Sequence, residues 1–210
     1  VMIESFAKFP SFINSCNIVI LEKSPKLIKK QKNNIKFKNI KWVANLNKIN
    51  NLPGIFLANE FFDATPIKQF LKNENIWFER FVHIDSGKKL SFINKKINIK
   101  LIEKKINFKI SEKQNFIEYS PLGLRYLTDI FEFIRKNKGG LLIIDYGYFS
   151  EKMKDTLQAI YKQKYSNVLT NIGKSDITYN INFNFINKIA QNFRKLDVDY
   201  TTQKKFLTKL

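Results

Sequence analysis

Three short apolar runs in this chain close on a polar side chain, and two of them close directly on a carboxylate. Residues 17–21 (NIVIL) are followed by Glu22, residues 55–58 (IFLA) by Asn59 and Glu60, and residues 141–144 (LLII) by Asp145. Continuous apolar runs of this length, bounded by turn signals, are the pattern of strands buried on both faces. Such strands occur in parallel sheets covered by helices. Ser24-Pro25 and Ser120-Pro121 supply the helix starts between them, each pairing a serine N-cap with proline at the first helical position. The first opens a short basic helix through Leu27 and Ile28 to Lys32. The second opens a helix with Leu124, Leu127, Ile130, Phe131 and Ile134 at helical spacing, stopped by Gly139-Gly140.

Residues 39–43 (NIKWV) read as a further strand, 183–193 as a helix and 198–202 as a strand. Residues 76–84 (IWFERFVHI) alternate as a half-exposed strand; Asp85-Ser86-Gly87-Lys88 turns the chain and 90–93 returns, an antiparallel hairpin. Residues 94–114, rich in lysine and isoleucine, carry no clear element, and 116–119 are extended. The fold class expected is α/β: a doubly wound, mostly parallel sheet with an inserted antiparallel hairpin region. No apolar run reaches the roughly 18 residues of a membrane span.

In open α/β sheets the ligand crevice lies beyond the carboxyl ends of the strands. Glu22, Asn59, Glu60 and Asp145 stand at those ends. Taken singly, each is most simply a helix cap or a solvated loop residue. Their recurrence after successive buried strands suits a ribose diol, a sulfonium or a guanidinium, and suits phosphate badly. In nucleoside-binding domains an acidic residue about 20 positions after the glycine-rich loop holds the ribose hydroxyls. Counting back from Glu22 places the first strand and that loop upstream of Val1; none of the seven glycines forms a GxGxxG.

Other chemistries find little support. His83, the only histidine, lies inside the hairpin and has no GxSxG nucleophile elbow to serve. One histidine and one cysteine, Cys16, make no metal cluster or disulfide framework, and no P-loop signature is present. Trp42, Phe61, Phe62 and Trp77 read as core, although Trp42 at a strand end could stack on an adenine. The net charge of +19 comes from 37 basic against 18 acidic residues, but only four of the basic residues are arginines and the lysines are scattered. Nucleic-acid readers lean on arginine for bidentate contacts, so a nucleic-acid partner is not expected.

The segments LEKSPKL (21–27), NEFFDATPIKQF (59–70), EYSP (118–121), GGLLIIDYGY (139–148), DTLQAI (155–160) and GKSDITYNINF (173–183), in that order, resemble the MidA family of class I S-adenosylmethionine-dependent methyltransferases. Mitochondrial members of that family assemble respiratory complex I and act as protein arginine methyltransferases. The resemblance implies a methyltransferase-like α/β domain over residues 1–66 and 121–210, incomplete at both ends, with an inserted substrate-side region over 67–120. It implies S-adenosylmethionine as cofactor, with Glu22 on its ribose and Asn59 and Trp42 beside it. Glu60 and Asp63 would be catalytic, and Asp145, Tyr146 and Gly147 would flank the substrate. The implied partner is a complex I subunit, with no integral membrane segment and no nucleic acid. The implied location is the cytoplasm in a bacterium or the mitochondrial matrix in a eukaryote. A methyltransferase-like scaffold that escorts such a subunit without turnover is the alternative, and cofactor binding separates the two.

Overall fold

The computed structural model describes residues 2–194 and 196–209, in two compact units that meet in sequence between Leu52 and Pro53. The first unit contains α1 (Met2–Phe6), α2 (Pro10–Ser15), β1 (Ile18–Leu21), α3 (Pro25–Asn34) and β2 (Ile40–Val43). β1 and β2 pair in parallel, Ile18 opposite Ile40 and Leu21 opposite Val43. The ladder runs one step further, since Glu22 N–H donates to Val43 O at 3.0 Å. Ser24 caps α3 as its sequence implies: Oγ accepts from Leu27 N–H at 3.3 Å, with Pro25 at the first helical position.

The second unit opens with β3 (Gly54–Asn59), β4 (Lys68–Asn73), β5 (Ile76–Ile84) and β6 (Leu90–Ile97), then α4 (Ile99–Ile106), β7 (Phe116–Tyr119) and α5 (Pro121–Asn137). It continues with β8 (Gly139–Ile144), β9 (Gly147–Tyr148), β10 (Gln158–Tyr161), β11 (Lys164–Ser166), β12 (Asp176–Thr178), β13 (Ile181–Asn182), α6 (Phe183–Gln191) and α7 (Gln203–Leu207). β3 and β8 are parallel, from Gly54 opposite Gly139 to Asn59 opposite Ile144, and β9 runs parallel to β13. With β1–β2, three of the five sheets among the described residues are therefore parallel pairs. The other two are antiparallel: a four-stranded sheet in the order β6-β5-β4-β7 and a three-stranded one in the order β11-β10-β12.

The hairpin expected around Asp85 is β5–β6, and it is part of a larger sheet than the sequence suggested. β4 and β7 extend that sheet, and α4 fills the stretch that carried no clear sequence signal. Cross-strand partners in a sheet share a face. Phe70 lies opposite Ile117, and one face of the sheet gathers Phe70, Trp77, Ile117 and Tyr119 into an apolar core with Ile99, Ile110 and Met153. The opposite face carries Gln69, directly across from Glu118.

α5 behaves as its periodicity demands, with Tyr126, Leu127, Ile130 and Phe131 buried and Ser120 Oγ accepting from Gly123 N–H at 2.9 Å. Phe133 of α5 meets Phe56 of β3 edge to face. Residues 198–202 correct the expectation of a strand. They pair with no strand among the described residues; Tyr200 instead stacks on Phe149 at 4.0 Å between ring centroids. Four aromatic or β-branched residues in five give strand propensity, but propensity without a free neighbouring edge makes no ladder.

Candidate functional site

In the first unit the carboxyl end of β1 delivers Glu22, half-buried, to the start of α3. Its Oε1 accepts from the backbone N–H groups of Lys23 and Ser24, both at 2.8 Å, which fixes the side chain by the helix entrance. Among the described residues its Oε2 is held by Gln31 Nε2 alone, at 3.5 Å. Gln31 turns its amide oxygen the other way and accepts from Trp42 Nε1 at 2.8 Å. One glutamine thus joins Glu22 to Trp42, the two residues of this unit expected beside a nucleoside. The ammonium of Lys32 lies 5.6 Å from the Trp42 ring centroid. A carboxylate with one lightly held oxygen, linked through Gln31 to an indole, offers an acceptor that fits a ribose diol and a ring that fits a purine.

In the second unit the end of β3 runs into a tight turn. Asn59 closes the strand opposite Ile144, and Glu60 continues the ladder by donating its N–H to Ile144 O at 2.9 Å. Glu60 holds a φ of 45°, a left-handed conformation that costs a non-glycine residue on the order of 1 kcal/mol. Backbone strain of this kind gathers at functional sites. The Asn59 and Glu60 side chains are exposed and make no hydrogen bond among the described residues. Phe62 is buried, and Phe61 packs edge to face on both Phe62 and Tyr126. The two phenylalanines therefore anchor the turn.

Asp63 is only 6 % exposed, and its Oδ1 has no hydrogen-bond partner. Burial, then the neighbouring charge of Glu60, raises its carboxyl above the usual range; the Ala64 N–H opposes this and Asp176 adds to it. Asp145, at the end of β8, faces the same turn. Its Oδ2 accepts from Phe62 N–H at 3.1 Å and Asp63 N–H at 3.3 Å, and its Oδ1 from Tyr146 N–H at 2.9 Å. Burial, then the charge of Asp63, pushes its carboxyl up to about 6. Tyr146 is 63 % exposed, while its backbone oxygen accepts from Ile181 N–H at 2.8 Å. Gly147 sits where a side chain has no room: an added Cβ would lie 2.4 Å from Ile181 O.

The structure thus brings Glu60, Asp63 and Asp145 to one turn, and links Glu22 to Trp42 within the other unit. His83 is exposed on β5, away from any of these contacts. Sequence reasoning missed Gln31, which no spacing rule singles out. It also gave no role to the buried Glu118 and Gln69 or to the half-buried Thr156, a hydrogen-bonded polar group near the second unit's turn. One signal for Glu118 was present: a carboxylate inside the otherwise apolar strand FIEY.

Parallel strand pairs that end in carboxylates place a ligand crevice at the strand ends, consistent with the methyltransferase-like α/β class. Comparison with known proteins agrees. A family model described as "Putative S-adenosyl-L-methionine-dependent methyltransferase" matches residues 1–202, and the chain belongs to this family, the MidA group of S-adenosylmethionine-dependent methyltransferases. The chain is 27 % identical over 215 residues to the mitochondrial protein arginine methyltransferase NDUFAF7 of Xenopus tropicalis, covering 90 % of this chain and 49 % of the relative. It is 29 % identical over 154 residues to the Rattus norvegicus protein of the same name, covering 72 % and 34 %. The chain therefore spans about half the length, or less, of these relatives. Two solved structures from Burkholderia thailandensis share the fold. An uncharacterized protein superposes with a TM-score of 0.65 at 20 % identity, over 81 % of this chain and 46 % of that one. A second, bound to S-adenosyl-homocysteine, gives 0.60 at 17 % identity, over 84 % and 48 %.

Proposed function

We propose that this protein methylates an arginine of a protein substrate, a subunit of respiratory complex I undergoing assembly. The observation that carries this reading is the strained turn after β3, which leaves the Glu60 carboxylate exposed beside the buried Asp63. An exposed carboxylate is matched by a guanidinium, whose planar N–H donors form a fork. On this reading residues 1–66 and 121–210 belong to the class I methyltransferase-like α/β part of the chain, with 67–120 as the inserted substrate-side region. The relatives named as mitochondrial favour the matrix as its location in a eukaryotic source.

Bound S-adenosylmethionine supplies an electrophilic methyl group on a sulfonium. Glu22 Oε2 would accept from the ribose hydroxyls, and Trp42 would present its ring to the adenine. Glu60, with the buried Asp63 behind it, would hold the guanidinium with one nitrogen aimed at the methyl and would take up the proton that nitrogen loses, a task in which positioning carries most of the effect. Asp145, Tyr146 and Gly147 border the peptide carrying the arginine.

Glu60→Gln is expected to leave cofactor affinity within about twofold of wild type and to cut turnover by roughly tenfold or more. Radiolabel transfer from S-adenosylmethionine to the protein substrate measures the second quantity. Equal turnover in the variant contradicts the role given to Glu60.

A further inference from the structure

Below the turn of residues 60–66, one hydrogen-bond chain joins three strands and two loops of the second unit. Glu118 of β7 is buried. Its Oε1 accepts from Thr156 Oγ1 and, at 3.2 Å, from Thr156 N–H. Its Oε2 accepts from Gln69 Nε2 at 2.5 Å. Burial raises the Glu118 carboxyl above its ordinary range, while the bonds from Thr156 and Gln69 favour the charged form. With its single proton given to Glu118, Thr156 Oγ1 accepts from Asn180 N–H at 2.9 Å.

Residue 179, next in the chain, reaches the turn itself. Tyr179 N–H donates to Asp63 O at 3.3 Å, and the Tyr179 hydroxyl lies 3.4 Å from Thr65 Oγ1. Thr65 already gives its proton to Phe62 O at 2.6 Å, so the tyrosine is the donor in that contact. Gln69, at the exit of the turn, also donates to Asp155 Oδ1 at 2.8 Å and accepts from Arg80 Nη1 at 3.0 Å. The turn is therefore gripped from both sides. Asp145 holds the N–H groups of Phe62 and Asp63, and Tyr179 holds the Asp63 carbonyl and Thr65.

We infer that Glu118 and Thr156 are positioning residues, which set the placement of Asp63 through the 179–180 segment and of the turn's exit through Gln69. Neither needs to touch cofactor or substrate. Their reach is by backbone: Thr156 fixes Asn180, and the peptide before it fixes Asp63. Small displacements at a reacting centre are expensive, about a hundredfold in rate for roughly 1 Å. The inference rests on the methyltransferase reading for its effect on turnover, but its structural half stands apart from that reading.

Thr156→Val removes the hydroxyl at nearly constant shape, and Thr156→Ser restores it. Three quantities are measured on the full-length protein: turnover, S-adenosylmethionine dissociation constant, and hydrogen exchange at the amides of residues 62–65 and 179–180. Thr156→Val is expected to lower kcat by about tenfold to a hundredfold, with the cofactor dissociation constant within about twofold of wild type. Exchange at Asn180 and in the turn should rise by about tenfold, and Thr156→Ser should return both quantities to near the wild-type values. Unchanged exchange in the turn overturns the inference whether or not the protein is active. So does a kcat loss matched by equal loss of cofactor affinity or by global unfolding. If wild type transfers no methyl group at all, the proposed function fails, and the exchange data alone decide the positioning role.

Discussion

Asp145 follows the most apolar strand of the chain, and both of its oxygens are occupied by backbone N–H groups. Its carboxyl nevertheless stands at about 6, because burial and the charge of Asp63 outweigh those bonds. An acid whose folded value exceeds its ordinary value of about 4 takes up a proton in the folded state first, so stability falls as pH rises between about 4 and 6 and is level above that window. The melting temperature of wild type, measured against that of Asp145→Asn, should therefore rise as the pH is lowered from 7 to 4. The comparison with the variant removes the effect of the chain's net positive charge. A difference that does not change with pH contradicts the raised carboxyl. The sequence showed that a carboxylate closes this strand, since an acid after an apolar run is visible in any register. That it would cap the backbone of a turn some eighty residues upstream is a tertiary fact, and the same holds for the unpartnered oxygen of Asp63.

At the scale of elements, the parallel pair β3–β8 depends on two adjacent glycines that do different work. Gly139 has a φ of 131°, and an added Cβ would sit 1.9 Å from Gly54 O; at Gly140 a Cβ meets nothing within 4 Å. Gly139→Ala should lower the melting temperature by roughly 5 °C or more, and Gly140→Ala should be close to neutral. Equal effects at the two positions, read by thermal unfolding, contradict the close approach of the two strands. The helices capped by Ser-Pro and the strands closed by acids were legible because each has a local signal. β4 and α4 were not, since LysGlnPheLeuLysAsn and the lysine-rich stretch after it alternate weakly, and their pairing is decided by the core around Phe70 and Ile117. Residues 198–202 looked like a strand for the converse reason, having propensity without an edge to join. One face of β3–β8 leaves Ile55 at 77 % and Leu57 at 49 % exposed, although continuous apolar strands predicted cover on both faces.

At the scale of the whole molecule, family membership, fold and cofactor class agree, and the arginine substrate and the complex I partner are the reading built on them. No described helix is long and apolar enough to cross a membrane. The net charge of +19 attracts acidic surfaces without specifying which. The most direct test is a calorimetric titration of S-adenosylmethionine into the full-length protein and its Glu22→Ala variant. Saturable one-to-one binding to wild type, weakened by about a hundredfold or abolished in Glu22→Ala, is the predicted result. No saturation at roughly millimolar cofactor, the concentration at which even 4 kcal/mol of binding energy registers, would contradict it and leave a methyltransferase fold that escorts its partner without turnover.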